Sequence, residues 1–409
     1  MVRVSVWFTA ACAAAVALVV GLTGPSSAPV ADLLPTADLS PQLVASPQRV
    51  VHRHQPLERR SPAARRLARL SLPQQVGQLF MVGTPATSAS PATLDQIRRL
   101  HVGNVMLTGR SRAGVRAPAR VAAAAQARAT SAATGGVRLL VATDQEGGQV
   151  QVLGGRGLPS IPTALTQGSW SPGRLEHAAT TWAGQLHRAG VNMNLAPILD
   201  TVPGPRAAAH NPPIGHYDRE FGYRVGTVSR HGLAFARGMR SGRVVPTAKH
   251  FPGLGRVHAN TDTDTHVVDR VTRRHDRYLV PFQRAVDAGV PAVMVSTAIY
   301  ARLDPKRPAA FSPFVLRTML RHDLGFDGVV VSDDLGLARQ VAPWSYGARA
   351  VSFLRAGGDL VLTVDPRTTP AMYAAVLHRA RTDRHFRARV RESALRLLEL
   401  KQRQGLLGR

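Results

Sequence analysis

A chain of 409 residues that is 44% hydrophobic and 19% charged has the means to bury a full core, which excludes an intrinsically disordered protein. Its formal charge of +27, carried mostly by arginine, admits a weak partnership with anionic surfaces such as a cell wall; no zinc-finger or aromatic RNA-binding signature accompanies the charge, so no nucleic-acid partner is expected. The lone cysteine, Cys12, excludes a disulfide framework.

The N-terminal MVRVSVWFTAACAAAVALVVGLTG places Arg3 ahead of an apolar run that reaches Leu22, the pattern of a secretory signal. Residues 1–28 are therefore expected to be a signal peptide, or a membrane anchor if uncleaved, because Pro29 blurs the small-residue site near Ala28 to Ala31. The protein is accordingly expected outside the cell, secreted or wall-associated, and membrane-anchored only if the leader stays. Cys12 lies inside the apolar run without lipid-attachment spacing and reads as a small apolar filler. Residues 29–71 are rich in Pro, Ala, Ser and Arg and show no sustained periodicity, so a disordered linker or tether is predicted there.

From residue 72 to 409, short apolar runs alternate with amphipathic segments: residues 78–83, 103–109, 138–144, 191–200, 244–250, 292–297, 328–334 and 359–365. Near-continuous apolar strands alternating with helices predict a parallel sheet covered on both faces, and eight such units predict an α/β fold of the (β/α)8 barrel type. A doubly wound open sheet is the rival, but no glycine-rich phosphate loop follows the first strand. Helix signals sit between the runs. In SPATLDQIRRL, Ser90 can cap and Pro91 suits the first turn; in the final segment Val390, Ala394, Leu397 and Leu398 share one helical face. No accessory C-terminal domain is expected.

In such barrels the chemistry gathers at the C-terminal ends of the strands. Five runs end there in Asp144, Asp200, the pair Lys249 and His250, Asp333 and Asp365. A rim of carboxylates and hydrogen-bond donors suits a sugar, and two carboxyl groups across a glycosidic bond suit its hydrolysis. After Lys249 and His250 the stretch KHFPGLGRVHANTDTDTH leaves the strand as a loop, with Gly253 and Gly255 as its freedom to turn. No His-x-x-x-His helix spacing or other metal set appears, so neither metal nor cofactor is expected.

KHFPGLG, DQEGG (Asp144 to Gly148), NLAPILD (Asn194 to Asp200) and the run AAFSPFVLRTMLRHDLGFDGVVVSDDLGLA together resemble glycoside hydrolase family 3, and most of all its single-domain β-N-acetylhexosaminidase branch. The resemblance implies a retaining exo-glycosidase that removes terminal β-linked N-acetylglucosamine from peptidoglycan fragments or chitooligosaccharides. It makes Asp333 the nucleophile, Asp334 its structural neighbour, and Asp144, Arg219, Lys249 and His250 the sugar-binding set. The sequence departs from the pattern twice. Val152 stands where an arginine is expected in the DQEGG block. The loop's Asp-Ser-His also maps, without gaps, onto Asn260, Thr261 and Asp262, making Asp262 the acid/base. Displaced by four residues, Asp264 would orient His266 as an alternative acid/base, the arrangement that phosphorolysis requires. His258 reads as a solvated loop residue. A β-glucosidase or β-xylosidase specificity and a non-catalytic wall-binding barrel are the remaining alternatives.

Overall fold

The computed structural model describes residues 61–408; the predicted leader, Cys12 and most of the predicted linker lie outside them. One correction falls at the linker's end. Residues Pro62–Arg69 form a helix (α1), because Ser61 Oγ accepts from Ala64 N at 3.2 Å and proline occupies the first turn. The periodicity missed it because six of its residues are alanine or arginine, and only Ala63 and Leu67 are buried. A second helix, Leu72–Gln78 (α2), starts from a reciprocal capping box between Ser71 and Gln74.

Eight parallel strands follow: β1 (Phe80–Pro85), β2 (Asn104–Thr108), β3 (Leu140–Thr143), β4 (Met193–Asn194), β5 (Val245–Phe251), β6 (Ala292–Val295), β7 (Val329–Ser332) and β8 (Val361–Thr363). Each overlaps one of the eight predicted apolar runs, with β1 running two residues and β5 one residue past its end. The hydrogen-bonded order runs from β7 through β6, β5, β4, β3, β2 and β1 to β8. A parallel bridge between Val331 and Leu360, with Ser332 N donating to Leu360 O at 3.0 Å, joins the two ends and closes the barrel. Strands this thoroughly buried need apolar residues on both faces, which is why they read as runs rather than as alternation.

The intervening helices include α3 (Pro91–Arg99), α4 (Arg116–Gln126), α5 (Pro172–Arg188), α6 (Val225–Ser241), α7 (Val280–Asp287), α8 (Tyr346–Ala356), α9 (Thr369–Thr382) and α10 (Arg384–Arg403), with a π-type helix at Phe314–Asp323. Ser90 caps α3 as predicted, and Val390, Ala394, Leu397 and Leu398 of α10 are all buried. Helix α1 packs on α10, and Ala63 N donates to Gln402 Oε1 at 2.9 Å. The chain thus returns at its end to cover the helix that precedes the first strand. Among the described residues no helix is long and apolar enough to cross a membrane.

Candidate active site

Strand ends at one rim of the barrel carry the charged groups, and a cavity of about 630 Å³ opens between them. Asp144, Arg219, Lys249, His250, Asp262, Asp333 and Asp334 all line it. Asp144 follows β3, Lys249 and His250 belong to β5, and Asp333 follows β7. The backbone N–H of Asp333 donates to Val295 O of β6 at 3.1 Å, which fixes the residue on the strand ladder. Its neighbour Asp334 faces a different task. Its carboxylate accepts from Gly336 N, Leu337 N and Val364 N at 2.9–3.1 Å and so ties the end of β7 to β8.

A buried ionic chain forms the floor. Lys249 Nζ contacts Asp144 Oδ1 and Glu146 Oε1, each at 2.6 Å, and Arg219 grips Glu146 in a two-pronged pair at 2.8 Å. Arg219 also donates to Pro213 O at 2.6 Å. Burial works against the Glu146 charge, but Arg219 and then Lys249 overcome it and bring its pKa down to about 2. For Lys249, burial likewise opposes the charge and is outweighed by Asp144 and Glu146, so its pKa is raised. The carboxylates therefore offset the cost of burying two cations side by side. Sequence reasoning placed Asp144, Arg219 and Lys249 here but passed over Glu146. Its signal was available in the same DQEGG motif, where Glu146 sits in the first strand of a short hairpin (Gln145–Gly147 with Val150–Gln151) and is buried.

His250 has an equally definite partner. Asp200, fully buried, accepts from His250 Nδ1 at 2.8 Å, from the His250 backbone at 3.2 Å and from Leu254 N at 2.6 Å. The ring nitrogen facing a carboxylate must carry a proton, so Asp200 sets both the tautomer and the ring plane. Asp200 had been legible only as one more strand-end aspartate. Asp365, the other one, instead pairs with Arg367 and does not line the cavity.

The loop after β5 is fastened at several points. Gly253 takes φ 133°, a conformation that side chains rarely adopt, and a Cβ on Gly255 would meet Thr201 O at 2.0 Å, so both positions require glycine. Buried Asn211 donates to Leu254 O and Val257 O, each at 2.8 Å, and Arg256 pairs with Asp276 at 2.6 Å. Farther along, Gln340 N donates to Thr261 O at 3.0 Å, Arg339 N to Asp262 O at 3.3 Å, and the Gln340 side chain accepts from Val267 N at 2.8 Å. The loop is thereby bonded to the segment that follows Asp333.

The anchoring places the residues of the two loop registers differently. Asp262 enters the cavity, whereas Asp264 and His266 are exposed and bond to their own neighbours, Thr263 Oγ1 at 2.6 Å and Thr265 Oγ1 at 3.1 Å. The expected Asp264 to His266 pair is not formed, because the short stretch between the anchors at Asp262 and Val267 bulges outward. Asp262 keeps contact with solvent as a residue. Protein packed around its carboxyl, then the charges of Asp333 and Asp334, raise its pKa to about 6. His258 is exposed, with Nδ1 3.2 Å from His210 O. Val152 is partly buried against the core and does not line the cavity; Arg110, at the end of β2, and Gln149 do. Among the described residues no group of three or more His, Cys, Asp or Glu is placed to hold a metal ion.

Comparison with known proteins gives the family. Residues 71–400 match the model of the glycosyl hydrolase family 3 N-terminal domain, and the chain belongs to that family. It is a glycoside hydrolase similar to β-N-acetylhexosaminidases. A β-hexosaminidase of Stenotrophomonas maltophilia (strain K279a) is 32% identical over 311 residues, which cover 74% of this chain and 88% of the relative. The crystal structure of β-N-acetylhexosaminidase from Beutenbergia cavernae superposes with a TM-score of 0.81 at 53% identity, covering 82% of this chain and 99% of that one. A family 3 β-N-acetylglucosaminidase from Paenibacillus sp. str. FPU-7 gives 0.76 at 34% identity, covering 82% of this chain and 63% of that one.

Proposed function

We propose that this protein is a retaining exo-glycosidase that removes terminal β-linked N-acetylglucosamine, with Asp333 as nucleophile and Asp262 as acid and then base. The observation that carries the reading is the sharing of one cavity by two carboxyl groups held in opposite roles: Asp333 on the strand end, and Asp262 on an anchored loop with its pKa raised to about 6. In the first step an Asp333 oxygen bonds the anomeric carbon while the glycosidic bond breaks, and the departing oxygen takes the proton of Asp262. In the second, Asp262, now ionised, removes a proton from water, which displaces Asp333 and restores the starting charges.

The floor supplies orientation. Asp144 uses one oxygen on Lys249 and, among the described residues, its second has no hydrogen-bond partner, so that oxygen serves a sugar hydroxyl. Lys249, His250 and Arg219 hold the ring through donors whose positions are set by Asp144, Glu146 and Asp200. The names of the relatives support the acetamido sugar, and the leader sequence supports export, with peptidoglycan fragments or chitooligosaccharides as the substrates. The phosphorolytic alternative required His266 as acid and finds no such arrangement.

The test compares aryl β-N-acetylglucosaminide with aryl β-glucoside, using wild type, Asp333→Asn, Asp262→Ala and His266→Ala. Preference for the acetamido sugar is expected, with Asp333→Asn at background and His266→Ala within about twofold of wild type. Asp262→Ala should lose about 10²–10⁴-fold on a poor leaving group and far less on dinitrophenolate, which departs without a proton. Full activity in Asp333→Asn, or a loss confined to His266→Ala, would refute the assignment.

A further inference from the structure

A larger cavity, of about 1000 Å³, lies at the opposite end of the barrel from the chemistry. It is built where the chain enters β3, β4 and β5, and its wall is completed by the residues that follow α10. Arg138, His187, Arg240, Arg243 and Arg403 line it, and no aspartate or glutamate does. Arg240 reaches only a backbone carbonyl, Ala288 O at 3.2 Å, and among the described residues none of these five side chains pairs with a carboxylate. With four arginines and no acidic residue in its lining, the cavity presents a concave, positively charged wall.

The wall is also rigid. Gln126 and Asn192, its two amides beside β3, are consumed by backbone bonds to Leu139 and Val141, and Arg138 N donates to Leu406 O at 2.8 Å. Arg243 takes φ 63°, a left-handed conformation uncommon for a non-glycine residue, at the turn between α6 and β5. A second cavity shares Arg240, Arg403 and Gln404 and prolongs the first towards the entries of β6 and β7, where exposed Asp327 is its single acidic lining residue. The two form one groove across the back of the barrel.

We propose that this groove binds a phosphodiester-linked polymer lacking aromatic bases, such as a polyol or glycan phosphate. Guanidinium groups match phosphate oxygens two at a time, and a groove with several of them favours a repeating anion over a single one. The first cavity contains no Phe, Tyr or Trp, and Phe326, the aromatic residue of the second, is buried, so the groove offers no open platform for the stacked bases of single-stranded nucleic acids. Binding there would hold the protein by its back and leave the catalytic rim facing outward. The inference is independent of the hydrolytic assignment.

The experiment measures binding of the full chain to poly(glycerol phosphate) and to single-stranded DNA of matched charge, over a range of salt. Two triple variants are compared with wild type: Arg138→Gln, Arg243→Gln, Arg403→Gln in the groove, and Arg270→Gln, Arg302→Gln, Arg384→Gln at exposed sites elsewhere. Both remove the same charge, and circular dichroism melting verifies that both fold. The groove variant should bind poly(glycerol phosphate) at least tenfold more weakly, with the slope of log K against log salt shallower by about 2. The distant variant should stay within about twofold. Equal losses in the two variants would reduce the effect to net charge, and tighter binding of DNA than of poly(glycerol phosphate) would contradict the base-free ligand; either overturns the proposal.

Discussion

Glu146 shows how much of the site depends on a residue that touches no reacting atom. It is 4% exposed and holds Lys249 and Arg219 together from beneath. Glu146→Gln leaves two buried cations short of a counter-charge and should cost about 3–5 kcal/mol of stability, read as a lower melting temperature at neutral pH. The sign with pH follows from its depressed pKa. The stabilisation is complete above the ordinary value of 4.5 and is lost as pH falls towards 2, so the gap between variant and wild type should close over that range. Asp262 behaves in the opposite sense. Its raised pKa keeps the acid protonated below about pH 6, so kcat/KM should fall as pH rises through that value, and the limb should vanish in Asp262→Ala with a dinitrophenyl substrate. A profile flat from pH 5 to 8 in wild type would contradict the role. Strand-end motifs made Asp144, Lys249, His250 and Asp333 readable, since a barrel strand fixes where its last residue goes. Glu146 and Asp200 were harder to weigh because their importance lies in partners about 73 and 50 positions away in the sequence.

The loop after β5 is the element on which sequence and structure diverge most. Its glycines and polar residues predict a free excursion, and its composition permits two catalytic registers. The loop's course is set by contacts no local pattern encodes: Asn211 from one side and Gln340 from the other, both buried and bonded to loop backbone. Gln340 therefore couples the loop carrying Asp262 to the segment following Asp333. Gln340→Ala should lower kcat/KM by about 10- to 10²-fold on substrates whose leaving group needs a proton and spare dinitrophenyl glycosides, the signature of a displaced acid rather than a damaged fold. An equal loss on both would instead mark Gln340 as purely structural. The strands coincide with the predicted runs to within two residues because burial on both faces writes itself into composition. Helix α1 escaped notice because alanine and arginine carry little periodic signal.

At the scale of the molecule, the barrel separates two tasks by its ends. The rim at the strand C-termini gathers the carboxylates, and the opposite face gathers unpaired arginines. The packing of α1 on α10 also means that the fold begins before the residue 72 expected from sequence. A chain starting at Leu72 should melt below one starting at Ser61, and Leu67→Ala should cost about 2–5 kcal/mol by emptying a buried position between the two helices. Identical melting of all three would remove α1 from the folded core.

The central claim, a covalent glycosyl-enzyme on Asp333 formed with Asp262 as acid, is tested most directly by trapping. Incubation with 5-fluoro-N-acetylglucosaminyl fluoride slows both steps but supplies a good leaving group, so the intermediate should accumulate. Mass spectrometry of the digested protein should then find one fluorosugar on the peptide containing Asp333, in wild type and in Asp262→Ala alike. A label on another carboxylate, or turnover of the fluoride with no label at all, would contradict the account.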